Sequence, residues 1–209
     1  MFTQTLLPDT VRAIELVTDI PIVKKAYLAG GTALALHLGH RISVDLDFFT
    51  QEEADEKILS QDLHRIPEYK ESGRSWRTIW GKVGQTKFSL FYYKYPLLAP
   101  THPFMGINLL STKDIAAMKI QAIGDRGSRR DFIDVYFLSK TYSLDEMLDF
   151  YNQKFGDLED KYYYLVRSFD YFADAEEDVN PQMLVDVSWD AVKEYFHREA
   201  MRLSKSLKV

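Results

Sequence analysis

The chain has 209 residues, of which 46% are hydrophobic, and a formal net charge of −5. It contains no cysteine, which excludes disulfides, thiolate metal sites and a cysteine nucleophile. The acidic balance argues against a broad nucleic-acid-coating surface, and the length suits one compact domain or one domain with a helical appendage.

The N-terminal segment MFTQTLLPDTVRAIELV lacks the pattern of a secretion signal, because no basic region precedes a long apolar run. No stretch of about 18 apolar residues follows elsewhere, so no membrane-spanning helix is predicted. We therefore expect a cytoplasmic protein that does not bind a membrane.

The first part of the chain predicts short helices alternating with strands. Helical periodicity covers residues 9–19, and KAYLAG reads as a strand that ends at Gly30. A helix should follow over TALALHLG, with Gly39 as its C-terminal stop. The branched and aromatic residues of SVDLDFF predict the next strand, over residues 43–49.

Residues 50–110 predict a helix, a loop and a hairpin. Thr50 with Glu53 fits a capping box, which indicates a helix over 51–64, and Pro67 with the polar residues near Gly73 indicates a loop. The segments SWRTIWGKV and TKFSLFYYKY are rich in β-forming residues and flank Gly-Gln, so they predict a β-hairpin. GINLL reads as one more short strand.

From Ser111 onward the pattern is helical, with two start signals, Ser111 with Asp114 and Ser143 with Glu146. Strands grouped before a run of helices predict an α+β fold. We expect an α/β core over residues 1–110 and a helical region over 111–209.

The glycine pair opening the second helix is the first candidate binding feature. Gly30 and Gly31 allow backbone N–H groups to approach an anion without an intervening Cβ, and the following helix N-terminus, which includes Thr32, favours phosphate. The alternative is an ordinary tight turn between a strand and a helix.

Two aspartates follow in the next strand. Asp45 and Asp47 should project from the same face, because side chains two residues apart in a strand share a face. Adjacent carboxylates repel unless a proton or a metal neutralises them, and Mg²⁺ takes such oxygen ligands together with phosphates. The alternative is a pair of carboxylates held in salt bridges by Arg41 and His40.

The helical region carries a second group of charged candidates. Lys119 falls among apolar residues of its helix, where it either snorkels to the surface or directs an ammonium group into a cleft. In the helix around 129–140, Asp131 and Asp134 cluster with Arg130 on a charged arc, and the alternative for this arc is an Arg130–Asp134 surface pair. The arginines that we expect to contact a nucleotide or an RNA backbone are Arg126, Arg129 and Arg130.

The segment GGTALALHLGHRISVDLDFF resembles the signature of the AbiEii/AbiGii-type nucleotidyltransferases, toxins of abortive-infection and toxin–antitoxin systems in the DNA polymerase β-like superfamily. The resemblance covers residues 25–140. The matching motifs are Gly30-Gly31, Asp45-x-Asp47, Ala117-Met118-Lys119 and a later aspartate, Asp131 or Asp134.

The resemblance implies transfer of an NMP from an NTP to an acceptor hydroxyl, either a tRNA 3′ end or a protein, under control of a cognate antitoxin. It implies that the helical region completes the active-site cleft. The implied roles are triphosphate binding by Gly30, Gly31 and Thr32, nucleotide contacts by Arg41, Arg126 and Arg130, a Mg²⁺ ion on Asp45 and Asp47, charge neutralisation by Lys119, and positioning or deprotonation of the acceptor by Asp131 or Asp134.

One departure from the superfamily pattern concerns the third carboxylate, which is expected on a later strand. The second strand of the predicted hairpin has none, and Ser89 lies near the expected position. This departure supports an alternative, a non-catalytic nucleotide- or partner-binding protein on the same scaffold. The tyrosine-rich tract at 162–172 lies in the acidic segment 155–180, which favours helix packing over base stacking.

Overall fold

The structure is a computed structural model that describes residues 1–53, 55–66 and 68–205. The chain forms two compact units, Met1–Ser111 and a second unit that begins at Thr112. The first unit contains strands and helices, and the second is built from helices. The α+β fold class predicted from the sequence is confirmed.

The first unit is a seven-stranded mixed sheet with accompanying helices. Its helices are α1 (Pro8–Val17), α2 (Pro21–Lys25), α3 (Gly30–Leu38) and α4 (Glu56–Leu63). Its strands are β1 (Tyr27–Leu28), β2 (Leu46–Thr50), β3 (Tyr69–Ser75), β4 (Thr78–Val83), β5 (Thr86–Tyr92), β6 (His102–Phe104) and β7 (Ile107–Leu109).

The strand order is β3-β4-β5-β2-β1-β7-β6. Strand β2 lies centrally, parallel to β5 and antiparallel to β1, and β1 is parallel to β7. Leu46 and Phe48 of β2 are fully buried, and the residues that alternate with them are only partly buried. The core of this unit therefore covers one face of β2 and leaves Asp47 on the other.

The predicted helix stop and hairpin are confirmed. Gly39 ends α3 in the left-handed conformation, with φ of +70°, and its N–H donates to the Ala35 carbonyl at 2.8 Å. Strands β4 and β5 pair antiparallel around Gly84, whose φ of +60° suits a two-residue hairpin turn.

The predicted capping box at Thr50 is wrong. Thr50 ends strand β2, and α4 begins instead at Glu56, where the Asp55 carboxylate accepts hydrogen bonds from the N–H groups of Lys57 and Ile58 at 2.7 and 3.3 Å. Aspartate is at least as good an N-cap residue as threonine. The helix therefore begins directly after Asp55 and not after Thr50. Ala54, inside the predicted helix, lies outside the described residues.

The loop predicted near Gly73 is also wrong, because Gly73 lies within strand β3, which pairs with β4 through a bulge. The strand is at the sheet edge and is mostly polar, so it lacks the alternation that predicts strands. A Cβ on Gly73 would collide with the ring of Trp80, which explains the glycine. Strand β6 was not predicted, and Pro67 lies outside the described residues.

The described helices of the second unit are α5 (Thr112–Asp125), α6 (Arg129–Leu138), α7 (Leu144–Phe155), α8 (Leu158–Ser168), α9 (Ala173–Glu177) and α10 (Trp189–Ser204). The capping box predicted at Ser143 and Glu146 is confirmed at the start of α7. Among the described residues, no helix is long and apolar enough to cross a membrane.

Candidate functional site

The glycine pair predicted to bind phosphate forms the first turn of α3. Gly30 has a φ of +64°, in the left-handed region that favours glycine. A Cβ on Gly30 would lie 3.4 Å from Oδ2 of Asp47. The absent side chain therefore lets the Asp47 carboxylate lie directly beside the N-terminus of α3.

Gly31 brings a positive charge to the same turn. A Cβ on Gly31 would overlap Nη2 of Arg41, so the guanidinium group packs onto bare backbone. The Arg41 side chain is buried, and its Nη1 donates to the Ile42 carbonyl at 3.2 Å. The Asp47 carboxylate thus lies beside Gly30, and the Arg41 guanidinium packs against Gly31.

The backbone carbonyls of Asp45 and Asp47 accept hydrogen bonds from residues at the start of α3. The Ala29 N–H donates to the Asp47 carbonyl at 2.9 Å, and the Thr32 hydroxyl donates to the Asp45 carbonyl at 2.5 Å. The hydroxyls of Thr32 and Ser43 are also 2.9 Å apart. The buried Thr32 side chain therefore positions the aspartate segment.

The two aspartate carboxylates of the first unit suit a hard cation that also binds phosphate oxygens. Asp45 and Asp47 are both partly exposed; Asp47 lies on the face of β2 opposite the core, whereas Asp45 precedes the strand, which begins at Leu46 rather than at the predicted Ser43. Within residues 1–53, 55–66 and 68–205, no group of three or more His, Cys, Asp or Glu residues is arranged to hold a metal. Two carboxylates leave several positions of a Mg²⁺ ion for phosphate oxygens and water.

The position across the sheet from Asp47 is occupied by a hydroxyl group. Ser89 of β5 is in parallel register with Asp47, one strand spacing away. Ser89 is the residue near which the sequence analysis expected a third carboxylate. A carboxylate here would be the third on this face, and the chain has serine instead.

In the second unit, Lys119 lies between two aspartates. Its Nζ is 2.8 Å from Oδ1 of Asp131 and 2.7 Å from Oδ2 of Asp134. Both carboxylates are fully buried, and only 7% of the lysine side chain is exposed. Lys119 comes from α5 and both aspartates come from one face of α6, so the pairing joins the two helices.

Asp131 has further donors. Arg126 Nε donates to its Oδ2 at 2.8 Å, and the Ser128 hydroxyl donates to the same oxygen at 2.6 Å. We call Lys119, Arg126, Ser128, Asp131 and Asp134 the lysine network. Burial alone would raise the pKa of Asp131, but the charges of Lys119 and Arg126 outweigh burial and hold that pKa well below its usual range.

The three arginines expected to contact a nucleotide or RNA differ in exposure. Arg130 is exposed, and the side chain of Arg126 is 66% exposed despite its hydrogen bonds to Asp131. Arg129 is buried, donates to Ala175 and Asn180 at 2.8 and 2.6 Å, and lies over the Trp189 ring. Arg129 therefore stabilises the packing of α6.

One buried ion pair was missed by the sequence reasoning. Lys154 Nζ of α7 is 2.7 Å from Oδ1 of Asp114 in α5, and neither side chain is exposed. The signal was the helical spacing of Lys154 with Met147 and Tyr151, which places the lysine on a buried face. The prediction for Asp114 considered only a helix start.

Comparison with known proteins finds matches that cover most of the chain. The family described as "Nucleotidyl transferase AbiEii toxin, Type IV TA system" matches residues 18–99 and 92–202. An uncharacterised protein of Aquifex aeolicus (strain VF5) is 36% identical over 193 residues, which is 90% of this chain and 92% of that protein.

Two solved structures resemble the fold. MenT4, a nucleotidyltransferase toxin of Mycobacterium tuberculosis H37Rv, superposes with a TM-score of 0.62 at 17% identity, over 96% of this chain and 84% of that one. JHP933 of Helicobacter pylori superposes with a TM-score of 0.55 at 22% identity, over 95% and 90% of the chains. At these identities the likeness concerns the fold alone.

Proposed function

Because this chain belongs to the AbiEii family of nucleotidyltransferase toxins, we propose that it transfers a nucleoside monophosphate from an NTP to an acceptor hydroxyl. The observation that carries the proposal is the contact between the glycine turn and the aspartate strand. Oδ2 of Asp47 lies 3.4 Å from the position a Cβ on Gly30 would take, so a turn suited to phosphate and a carboxylate suited to a metal meet at one helix N-terminus.

The glycine turn is proposed to bind the triphosphate. Backbone N–H groups at the start of α3 favour anions, and Arg41 adds a fixed positive charge beside Gly31. Thr32 acts through its hydrogen bond to the Asp45 carbonyl, which holds the aspartate segment against α3. We therefore assign Gly30, Gly31 and Arg41 to phosphate contact and Thr32 to positioning.

Asp45 and Asp47 are proposed to hold Mg²⁺, which when bound would neutralise charge that develops on the phosphates. The half-buried position of both carboxylates supports this role, because a ligand can reach them. The acceptor oxygen would form a bond to the α-phosphorus, the bond from that phosphorus to the β-phosphate oxygen would break, and pyrophosphate would leave. The hydroxyl proton would pass to water.

In the second unit, Lys119 is proposed to neutralise phosphate charge, as the resemblance implies. Asp131 and Asp134 hold its ammonium group at 2.8 and 2.7 Å. A carboxylate whose pKa lies well below the usual range accepts a proton poorly at neutral pH, so Asp131 is unsuited to act as a general base. We assign both aspartates to positioning Lys119.

The acceptor proposed from the family is the 3′ end of a tRNA or a protein hydroxyl, and a cognate antitoxin would control the activity. The test is transfer of label from each α-labelled NTP, in the presence of Mg²⁺, to total cellular RNA and protein. The variant is the double substitution Asp45→Asn, Asp47→Asn. We expect its rate to fall by about 100-fold or more, because charge stabilisation in the transition state is lost.

A matched control is Asp19→Asn, Asp190→Asn, which removes two charges from side chains that are 94% and 92% exposed. Its rate should equal that of the wild type. Absence of transfer by the wild type with every NTP would contradict the proposal.

A second candidate function is nucleotide binding without transfer. The observation that favours it is Ser89, which faces Asp47 across the strand pair at the position of a third carboxylate. Under this alternative the wild type would bind NTP in the presence of Mg²⁺ and would transfer no label. The double asparagine variant would then lose the binding.

A further inference from the structure

The second unit contains a cavity of about 460 Å³ that the functions assigned above do not use. It is formed by the end of α5, the turn that follows, α8 and the start of α9. We call it the tyrosine pocket, after Tyr163, Tyr164 and Tyr171 in its lining. Its volume is large enough for a nucleoside monophosphate.

The three tyrosines are unusually exposed for large aromatic residues. Tyr163, Tyr164 and Tyr171 are 58%, 54% and 57% exposed, so more than half of the surface of each residue is in contact with water. Clustered exposed rings favour a flat ligand that covers them. The tyrosine pocket therefore suits a planar aromatic partner.

The wall of the pocket is held in place by one of these rings. The Tyr164 hydroxyl donates to the Gly124 carbonyl at 2.7 Å, which joins α8 to the end of α5. A Cβ on Gly124 would lie 2.9 Å from Leu165, so the glycine permits this close packing. Tyr163 and Tyr171 line the same cavity, and more than half of the surface of each residue is exposed.

Charged groups of both signs line the same cavity. Arg167 lies over the Tyr163 ring at 5.8 Å, and Arg126 reaches the pocket from the turn after α5. Asp125 and Asp174 add two carboxylates. Arginines suit the phosphate of a nucleotide, and carboxylates accept hydrogen bonds from the exocyclic amino group of a base.

The pocket is one side chain away from the lysine network. Arg126 lines the pocket and also donates to both Asp131 oxygens, at 2.8 and 3.1 Å. A ligand in the pocket would therefore lie close to the residues that the proposed function uses in the second unit. Because the glycine turn of the first unit is assigned to the NTP, we assign a second nucleotide-sized cavity to the acceptor.

We propose that the tyrosine pocket binds an unpaired nucleobase of an RNA acceptor, with a preference for bases that carry an exocyclic amino group. The inference rests on the proposed nucleotidyltransferase function and adds the acceptor class. The base stacks on Tyr163 and Tyr171, its amino group donates to Asp125 or Asp174, and its phosphate contacts Arg167.

The sequence argued against stacking here, because residues 162–172 lie in an acidic tract. The pocket itself is not acidic, because Arg126 and Arg167 in its lining balance Asp125 and Asp174.

The experiment measures binding of fluorescently labelled single-stranded RNA by anisotropy, without NTP or Mg²⁺. An eight-nucleotide oligocytidylate is compared with oligouridylate, because only cytosine carries the amino group. We expect the full chain to bind oligocytidylate about tenfold more tightly than oligouridylate. Equal binding of the two would overturn the base preference.

Stacking is tested by a pair of double variants. Tyr163→Ala, Tyr171→Ala should weaken binding of oligocytidylate by about tenfold or more, because stacking on two rings is lost. Tyr163→Phe, Tyr171→Phe keeps both rings and should bind like the wild type, which separates stacking from a change in fold. An alanine variant that is folded by circular dichroism and binds normally would overturn the proposal.

Charge is tested by Arg167→Gln, which should weaken binding, against Arg198→Gln, which removes an exposed arginine of α10 outside the pocket. Equal losses in the two variants would mean general electrostatic attraction and would overturn the assignment of a site.

Cytidine monophosphate is the remaining ligand to test. If it binds as tightly as the oligonucleotide, the pocket serves a free nucleotide and the RNA assignment fails.

This assay and the transfer assay fail independently. Loss of label transfer with intact, tyrosine-dependent RNA binding would contradict the proposed function and leave the pocket as an RNA site. Label transfer to RNA that is unchanged in the alanine variant, together with normal RNA binding, would contradict the pocket assignment alone.

Discussion

The chain carries two pairs of aspartates that look alike in sequence and differ in structure. Asp45 and Asp47 are two residues apart at a strand and are partly exposed. Asp131 and Asp134 are three residues apart on a helix and are fully buried around Lys119. Asp131 and Asp134 share one face of α6, whereas Asp45 precedes β2 and Asp47 lies within it.

The two aspartate pairs differ in the groups that surround their carboxylates. The helix pair is compensated inside the unit by Lys119 and, at Asp131, by Arg126, so it contributes to packing. The strand pair lies beside the glycine turn and stays partly exposed. The buried pair therefore takes part in packing together with its cation, while the partly exposed pair can be reached by a ligand.

The largest expected effect comes from removing the cation that Asp131 and Asp134 share. Lys119→Met leaves two buried carboxylates without their shared ammonium group, and we expect a loss of about 3–5 kcal/mol in the free energy of unfolding. Urea denaturation at pH 7 measures it. Lys113→Met is the matched control, because Lys113 is an exposed lysine of the same helix.

The Lys113 variant should change the free energy of unfolding by less than about 0.5 kcal/mol. The double variant Asp45→Asn, Asp47→Asn should change it by less than about 1 kcal/mol, since these side chains are only partly buried. A stability of Lys119→Met close to that of the wild type would contradict the structural role of the lysine network.

A comparison of two glycine variants, with an effect of intermediate size, separates backbone strain from ligand contact at Gly30. Gly30 and Gly156 have φ values of +64° and +74°, so alanine at either position should cost about 1–2 kcal/mol of stability. A Cβ at Gly30 would lie 3.4 Å from Asp47 Oδ2, whereas one at Gly156 meets nothing within 4 Å.

We therefore expect Gly30→Ala to reduce the rate of label transfer by about tenfold or more and Gly156→Ala to leave it unchanged. The comparison uses urea denaturation for stability and α-labelled NTP for transfer. Equal rates in the two variants would mean that the turn at Gly30 does not take part in the reaction.

The smallest expected effect is a pH dependence of stability from Asp131. Its pKa is lower in the folded state than in the unfolded state, so its contribution is fully present above the unfolded pKa of about 3.9. The contribution is lost as the pH falls from about 5 toward the folded pKa. Between pH 5 and 3 we expect it to weaken by roughly 1 kcal/mol.

Asp131→Asn should show a shallower decline than the wild type when the free energy of unfolding is measured from pH 5 to 3. Between pH 6 and 8 the two curves should run parallel, because the carboxyl group is ionised in both states there. Parallel curves below pH 5 as well would show that Asp131 has similar pKa values when folded and unfolded.

Much of the candidate site was predictable because it is local in sequence. Gly30, Gly31, Asp45 and Asp47 lie within eighteen residues, and the turn, helix and strand that carry them follow from nearby residues. The start of α4 was mispredicted because two local cap residues, Thr50 and Asp55, compete. The edge strand β3 was mispredicted because it lacks apolar alternation and forms through pairing with β4.

By itself, the sequence determined the order of the elements, the glycine turn, the aspartate pair and the presence of Lys119 on a buried helix face. Only tertiary structure decided what each charge meets. Strand pairing placed Ser89 across from Asp47, and helix packing placed Asp131 and Asp134 around Lys119. The helical fold also placed Arg126 beside the exposed tyrosines. These contacts join residues that are distant in the chain, and packing and desolvation between elements select them.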